Sequence, residues 1–152
     1  MVEPYVADAL YAPVPLSAGQ ARAWVADKLH QLAPLRCAPA GLAECVSELV
    51  TNAVQHGPAG YDFRVRLEVS EVDVRFGVHD FGRRLPRICR LCEKNHEAEH
   101  GRGLIIVREY ADAWGVESDP RGGKTVWCLF KTGIYAAGVA RLDAAYRRAP
   151  LA

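Results

Sequence analysis

Glutamate and asparagine side chains lie among apolar neighbours in the segment GLAECVSELVTNAVQH, residues 41–56. Glu48 and Asn52 are four positions apart, so on a helix they lie one turn apart on the same side. Taken alone, the pattern fits the solvated face of an amphipathic helix, and it becomes a candidate site only beside the segments that follow.

Three glycine-containing segments follow, each where backbone can approach a ligand. Asp80 and Gly82 come at the end of a predicted strand, in the segment DFG. The segment GRGL, residues 101–104, opens a predicted helix, whose first N–H groups can bind an anion. The segment GGKT, residues 122–125, opens a predicted strand. Each segment is weak by itself, but the order and spacing of these segments and the helix before them are not expected by chance.

A second candidate site is the segment CRLCEKNHEAEH, residues 89–100. Cys89, Cys92, His96 and His100 are residue types that bind zinc, in the spacing C-x2-C-x3-H-x3-H. On one straight helix Cys89 and His100 would be about 16 Å apart, so they can share an ion only if the chain turns. Three interpretations stay open: a zinc ion, reduced side chains without metal, and a redox pair of Cys89 and Cys92.

Composition indicates one ordinary globular domain. The chain has 152 residues and a formal net charge of +1, which gives no electrostatic argument for direct binding to nucleic acid or a membrane. It has no apolar run of about 20 residues and begins without the pattern of a secretory signal, so we expect a cytoplasmic protein. Its five cysteines should then be reduced, with Cys37, Cys45 and Cys128 as core residues.

The periodicity of apolar residues predicts four helices and four strands. Ser17 is the expected N-cap of the first helix. The predicted helices are residues 17–32, 40–56, 103–113 and 134–149, and the predicted strands are residues 63–69, 72–79, 114–117 and 124–131. This order predicts an α+β fold, a two-layer sandwich with helices on one face of a mostly antiparallel mixed sheet.

The predicted organisation is an extended lead-in, one domain and a helical extension. Pro4, Pro13 and Pro15 exclude a helix from the lead-in. A long loop without periodicity separates the second predicted strand from the third predicted helix, and such loops are usually functional. The lead-in is residues 1–16, the domain residues 17–131 with its loop at about 81–102, and the extension residues 132–152.

Four motifs together resemble the GHKL ATPase superfamily of gyrase, the heat-shock chaperone, histidine kinases and mismatch-repair proteins. ELVTN, residues 48–52, resembles its N box, and DFG and GRGL resemble its first two glycine boxes. GKTVW, residues 123–127, resembles the last box. The phrases SELVTNAVQHG, GRGLIIV and GKTVW are typical of a small bacterial subgroup, the anti-sigma-factor serine kinases. The resemblance covers roughly residues 17–130.

The resemblance implies the Bergerat fold, with ATP bound under a lid at about residues 81–102. It implies that Glu48 is the general base and that Asn52 holds Mg²⁺ against the phosphates. Asp80 would accept a hydrogen bond from the adenine amino group, and Gly82 would let the backbone close on the base. Thr125 would help to fix the adenine end.

The second glycine box would contribute backbone N–H donors to the phosphates. Gly101 and Gly103 are the implied donors, with Arg102 and Leu104 in the same box. One departure lies in the first box, where Arg84 replaces a glycine that the family often has, which would narrow the pocket or reach a phosphate.

The subgroup implies a sigma factor and an anti-sigma-factor antagonist as partners, and a homodimer. Kinase activity on a serine of the antagonist is the first hypothesis. The alternative is a nucleotide-sensing or degenerate module that sequesters a regulatory partner without catalysis. A detached histidine-kinase domain is disfavoured, because no helix with a phospho-acceptor histidine precedes the predicted domain.

Overall fold

A computed structural model describes residues 1–82 and 102–150, with only the backbone of residues 102 and 103. The described part contains five strands and four helices. In chain order they are β1 Tyr5–Tyr11, α1 Leu16–Leu32, α2 Leu42–His56, β2 Phe63–Val69, β3 Asp73–Asp80, α3 Arg102–Tyr110, β4 Ala113–Ser118, β5 Lys124–Lys131 and α4 Ala136–Arg148.

The five strands form one sheet in the order β1-β2-β3-β5-β4, and every pair of neighbours is antiparallel. Helices α1 and α2 share the buried core with one face of this sheet. The α+β prediction is therefore confirmed, with described strand pairings that are all antiparallel. No helix within the described ranges combines the length and apolar character that crossing a bilayer requires.

Strand β2 shows why the sequence forms this sheet. Phe63, Val65, Leu67 and Val69 alternate with outward polar residues, and all four are buried. Because successive side chains of a strand point to opposite faces, this alternation turns one face of β2 to the core.

The N-terminal segment contributes more than a lead-in. Residues 5–11 are extended, as expected, but they also form β1, the edge strand that pairs with β2 from Tyr5 opposite Val69 to Tyr11 opposite Phe63. The alternation of β1 is weak, since Val6 and Leu10 point outward and are exposed.

The predicted cap of α1 is wrong. The helix begins at Leu16 after Pro15, which makes no side-chain capping bond. Ser17 is buried, and its hydroxyl donates a hydrogen bond to the carbonyl oxygen of Ala12 at 2.6 Å. Proline already has the helical φ angle that the first turn needs, and the serine fixes the preceding loop instead.

Helix α2 presents the predicted apolar face to the core through Leu42, Val46, Leu49, Val50 and Ala53. It ends at His56, where the predicted stop is confirmed and the Gly57 N–H donates to the carbonyl oxygen of Ala53. The burial pattern fixes the rotation of the helix, and it therefore decides which of its polar residues face the sheet.

The structure confirms the predictions for two cysteines and contradicts the prediction for a third. Cys45 on α2 and Cys128 on β5 are both fully buried, as expected of core residues. Cys37 is exposed, which contradicts the prediction. It lies in the connection between α1 and α2, where no helix or strand turns its side chain inward.

Candidate functional site

A small cleft lies between helix α2 and the core-facing side of strands β3 and β5. It has a volume of about 10 Å³, which is the space for about one water molecule. The helix lines it with Leu49, Asn52, Ala53 and His56, and the strands line it with Val78, Asp80, Lys124 and Val126.

The cleft has apolar walls with polar groups placed among them. Leu49 and Ala53 form the helix wall, and Val78 and Val126 form the sheet wall, and all four are at most 3% exposed. Opposed apolar walls accept a flat ring, while a few polar groups fix its orientation. The walls therefore have the chemical character of a site for a flat aromatic ring, although the cleft as described is smaller than such a ring.

Asn52 provides an unusual polar group in this lining. Its amide nitrogen is buried and has no hydrogen-bond partner among the described residues. A buried polar group without a partner costs free energy, so native structures rarely keep one without a reason. The N–H groups of this amide therefore have no acceptor among the described residues, and its oxygen is an atom type that Mg²⁺ binds. Asn52 is thus compatible with the role that the resemblance implied, and that role stays a prediction.

Glu48 lies one turn before Asn52 on the same helix and is half-buried. Burial raises the pKa of its carboxyl group, because an ionised carboxylate loses hydration there. A carboxylate with a raised pKa is a stronger base, which is the property that proton abstraction requires.

An ion pair closes the sheet side of the cleft. Lys124 Nζ donates a hydrogen bond to Asp80 Oδ1 at 2.9 Å, with the two side chains only 5% and 6% exposed. The residues are direct partners in the register of β3 and β5. The same carboxylate oxygen accepts a second bond from the Gly82 N–H at 2.7 Å.

Two glycines allow the backbone to close around this carboxylate. A Cβ at Gly82 would lie 2.8 Å from Asp80 Oδ1 and 2.9 Å from the carbonyl oxygen of His56. Gly123 has a φ of 82°, and a Cβ there would overlap the carbonyl oxygen of Asp80. The close approach expected of Gly82 is thus made in this structure to the Asp80 carboxylate.

Thr125 does not lie in the cleft, so the structure does not support its assigned role. It points to the opposite face of the sheet, where its methyl group faces Gly77. Lys124 lines the cleft in its place. The alternation of β5, with Val126, Cys128 and Phe130 buried, could have identified Lys124 from the sequence as the inward residue.

The second glycine box is described only in part. Arg102 and Gly103 are the first two residues of α3, and Leu104 is fully buried in the core. Gly101 and Arg84 lie outside the described residues.

The predicted zinc ligands also lie outside the described residues: Cys89, Cys92, His96 and His100. Within residues 1–82 and 102–150, no group of three or more His, Cys, Asp or Glu side chains is placed to hold a metal ion. Zinc therefore stays a prediction from the sequence.

The chain was compared with models of known protein families. Residues 37–134 match the family described as "Histidine kinase-, DNA gyrase B-, and HSP90-like ATPase". The matched range begins just before α2 and ends after β5, so it includes the whole described cleft. No curated protein matches the chain.

Proposed function

This chain belongs to the histidine kinase-, DNA gyrase B- and HSP90-like ATPase family, and we propose that it is an ATP-binding regulator of the anti-sigma-factor kinase type. In this proposal it binds a sigma factor and phosphorylates a serine of an anti-sigma-factor antagonist. The observation that carries the ATP site is Asn52, whose buried amide nitrogen has no described partner, one turn from the basic carboxylate of Glu48.

The described residues divide the proposed chemistry between them. Asn52 would hold Mg²⁺, which neutralises charge on the phosphates when it is bound. Glu48 takes the proton of the serine hydroxyl as the hydroxyl oxygen bonds to the terminal phosphorus and the bond to the ADP oxygen breaks. Asp80 orients the base at the other end of the cleft.

The motifs SELVTNAVQHG, GRGLIIV and GKTVW support the narrower part of the proposal. They are the residues by which the chain resembles the anti-sigma-factor kinases. The same resemblance supports a sigma factor and its antagonist as partners, a homodimer and a cytoplasmic site of action. Co-purification of partners from the native host tests these assignments directly.

A second candidate function is a nucleotide-sensing module without catalysis that sequesters a regulatory partner. The ion pair of Lys124 and Asp80 favours it, because the cleft as described has space for about one water molecule. A site that takes up nucleotide weakly suits a sensor better than an enzyme with rapid turnover.

Thermal unfolding with and without ATP·Mg²⁺ tests nucleotide binding. A ligand at a hundred times its Kd adds about 2.7 kcal/mol to the free energy of unfolding, which shifts Tm by several degrees in a chain of this size. Absence of any shift at millimolar ATP would count against both functions.

A phosphotransfer assay then separates the kinase from the sensor. The protein is incubated with labelled ATP and the co-purified antagonist, and transfer to serine is measured. Glu48→Ala should lower the rate by at least about a hundredfold, the scale of general-base catalysis. Glu44→Ala is the matched control, since Glu44 is exposed one turn earlier on α2. Full activity in Glu48→Ala would show that the base is misassigned.

A further inference from the structure

We infer that Lys124 occupies the base end of the cleft and sets the nucleotide affinity, so that a purine enters only when the lysine ammonium leaves Asp80. This inference rests on the proposed function, in which Asp80 orients the base. It adds a residue to the site, Lys124, that the motifs did not assign.

Asp80 is already hydrogen-bonded within the protein. Its Oδ1 atom already accepts hydrogen bonds from Lys124 Nζ at 2.9 Å and from the Gly82 N–H at 2.7 Å. The amino group of a base is neutral, whereas the ammonium is charged and forms the stronger, charge-assisted bond. A base that approaches Asp80 at Oδ1 therefore competes with a better donor that belongs to the protein.

The cleft is also too small for a base. A space for about one water molecule does not admit a purine ring. Leu49, Val78 and Val126 are fixed in the core, whereas Lys124 has a long side chain with four rotatable bonds. Movement of the lysine side chain thus enlarges the cleft at Asp80 without displacing a core residue.

The local backbone holds the ion pair in place. A Cβ at Gly82 would lie 3.0 Å from Lys124 Nζ, so glycine leaves the room that the ammonium uses. Gly123 brings the start of β5 against the backbone of Asp80, which places Lys124 directly opposite it in the sheet. Glycines from two different boxes therefore support the same contact.

The energetic consequence is a reduced apparent affinity. When the binding-competent state is a small fraction of the molecules, the apparent Kd rises by the inverse of that fraction. Separating a buried ion pair is strongly unfavourable, because each charge then lacks its partner while it is still shielded from water. We therefore expect the wild-type protein to bind ATP at least about tenfold more weakly than a variant that lacks the ammonium.

Titration calorimetry with ATP·Mg²⁺ tests the inference on the full chain. Lys124→Ala removes both the charge and the volume, and should lower the Kd for ATP by at least about tenfold. Lys124→Gln keeps a neutral donor to Asp80 and should give an intermediate Kd. Lys131→Ala is the matched control, because Lys131 is the exposed lysine at the other end of β5, and its Kd should equal that of the wild type.

The outcomes separate the inference from the proposed function. Equal Kd values for the wild type and both Lys124 variants, or weaker binding by the variants, would overturn the inference while the ATP site stands. No binding by any of these proteins would overturn both. A gain in affinity in the variants, with no phosphotransfer by the wild type, would support the inference and reject the kinase. Circular dichroism checks folding, and Lys124→Gln alone decides if Lys124→Ala does not fold.

Discussion

The ring of Tyr110 lies so close to the Cα atom of Gly41 that a Cβ at position 41 would overlap it. Tyr110 ends α3, and Gly41 immediately precedes α2. The contact therefore joins the helix that begins within the second glycine box to the helix that carries Glu48 and Asn52. Gly41 also has a φ of 86°, a region that favours glycine.

Gly41→Ala should destabilise the protein for two reasons, backbone strain and overlap with Tyr110. We expect a loss of about 3 kcal/mol in the free energy of unfolding, measured by urea denaturation. Gly60→Ala is the matched control, because Gly60 has a φ of 84° and nothing within 4 Å of its Cβ position. It should lose only about 1 kcal/mol, the contribution of strain.

A double-mutant cycle separates the two causes. In a Tyr110→Gly background the extra loss at position 41 should disappear, because both the ring and the Cβ atom of Tyr110, which would each overlap a Cβ at position 41, have been removed. Equal losses for Gly41→Ala and Gly60→Ala in the wild-type background would show that the contact between α2 and α3 does not restrict position 41.

Glu48→Gln should stabilise the folded protein at neutral pH while it removes phosphotransfer. Burial raises the pKa of Glu48 in the folded state, so the folded state binds the proton more tightly than the unfolded state does. The ionised group therefore costs stability, and this cost grows as the pH rises through the folded pKa. Glutamine avoids the cost, and we expect Tm at pH 7 to rise by about 1–2 °C.

The pH dependence of Tm tests whether the pKa of Glu48 is raised in the folded state. The difference in Tm between Glu48→Gln and the wild type should shrink as the pH falls toward the ordinary carboxyl range, because Glu48 is then protonated in both states. Glu44→Gln, at an exposed position of the same helix, should show no such pH-dependent gain. A wild-type protein that is more stable than Glu48→Gln at pH 7 would contradict the raised pKa.

Asn52→Ala should abolish the binding of ATP·Mg²⁺ while it changes the stability of the fold only slightly. Its amide nitrogen has no hydrogen bond to lose among the described residues, and alanine favours the helix, so the free energy of unfolding should fall by less than about 1 kcal/mol. The Tm shift produced by ATP·Mg²⁺ should nevertheless be lost. Gln55→Ala, at an exposed position of α2, should keep the full shift. A large loss of stability in Asn52→Ala would mean that the amide is structural.

The sequence predicted most of the fold because its helices and central strands have clear periodicity. Strand β1 was missed as a strand, since Val6 and Leu10 face solvent and the surrounding prolines obscure the alternation. The cap at Ser17 was wrong, because a buried bond to Ala12 replaced capping. These errors arise where tertiary contacts, and not the local sequence pattern, determine the structure.

The sequence predicted several residues of the site but not the contacts between them. The motifs identified Asn52 and Asp80, which both line the cleft. They did not identify Lys124, because a motif match gives the position of a residue in the chain and not the face of the strand to which it points. Its partner Asp80 lies 44 residues earlier, and that pairing requires the register of the sheet.

Thiol labelling should distinguish the described cysteines by their burial. Cys37 is exposed and should react with N-ethylmaleimide under native conditions, whereas Cys45 and Cys128 are fully buried. A hydrogen bond with Cys45 and burial raise the pKa of Cys128 well above its usual value, which further lowers its thiolate fraction.

Peptide mapping by mass spectrometry assigns the labelled sites. We expect modification of Cys37 to be at least about a hundredfold faster than that of Cys45 and Cys128, because the buried pair reacts only when the fold opens. All three should react at similar rates in concentrated urea. Because Cys45 lies on α2 and Cys128 on β5, native labelling of both at the rate of Cys37 would mean that the two walls of the cleft separate readily. The buried ion pair between Lys124 and Asp80 would then not keep the cleft closed.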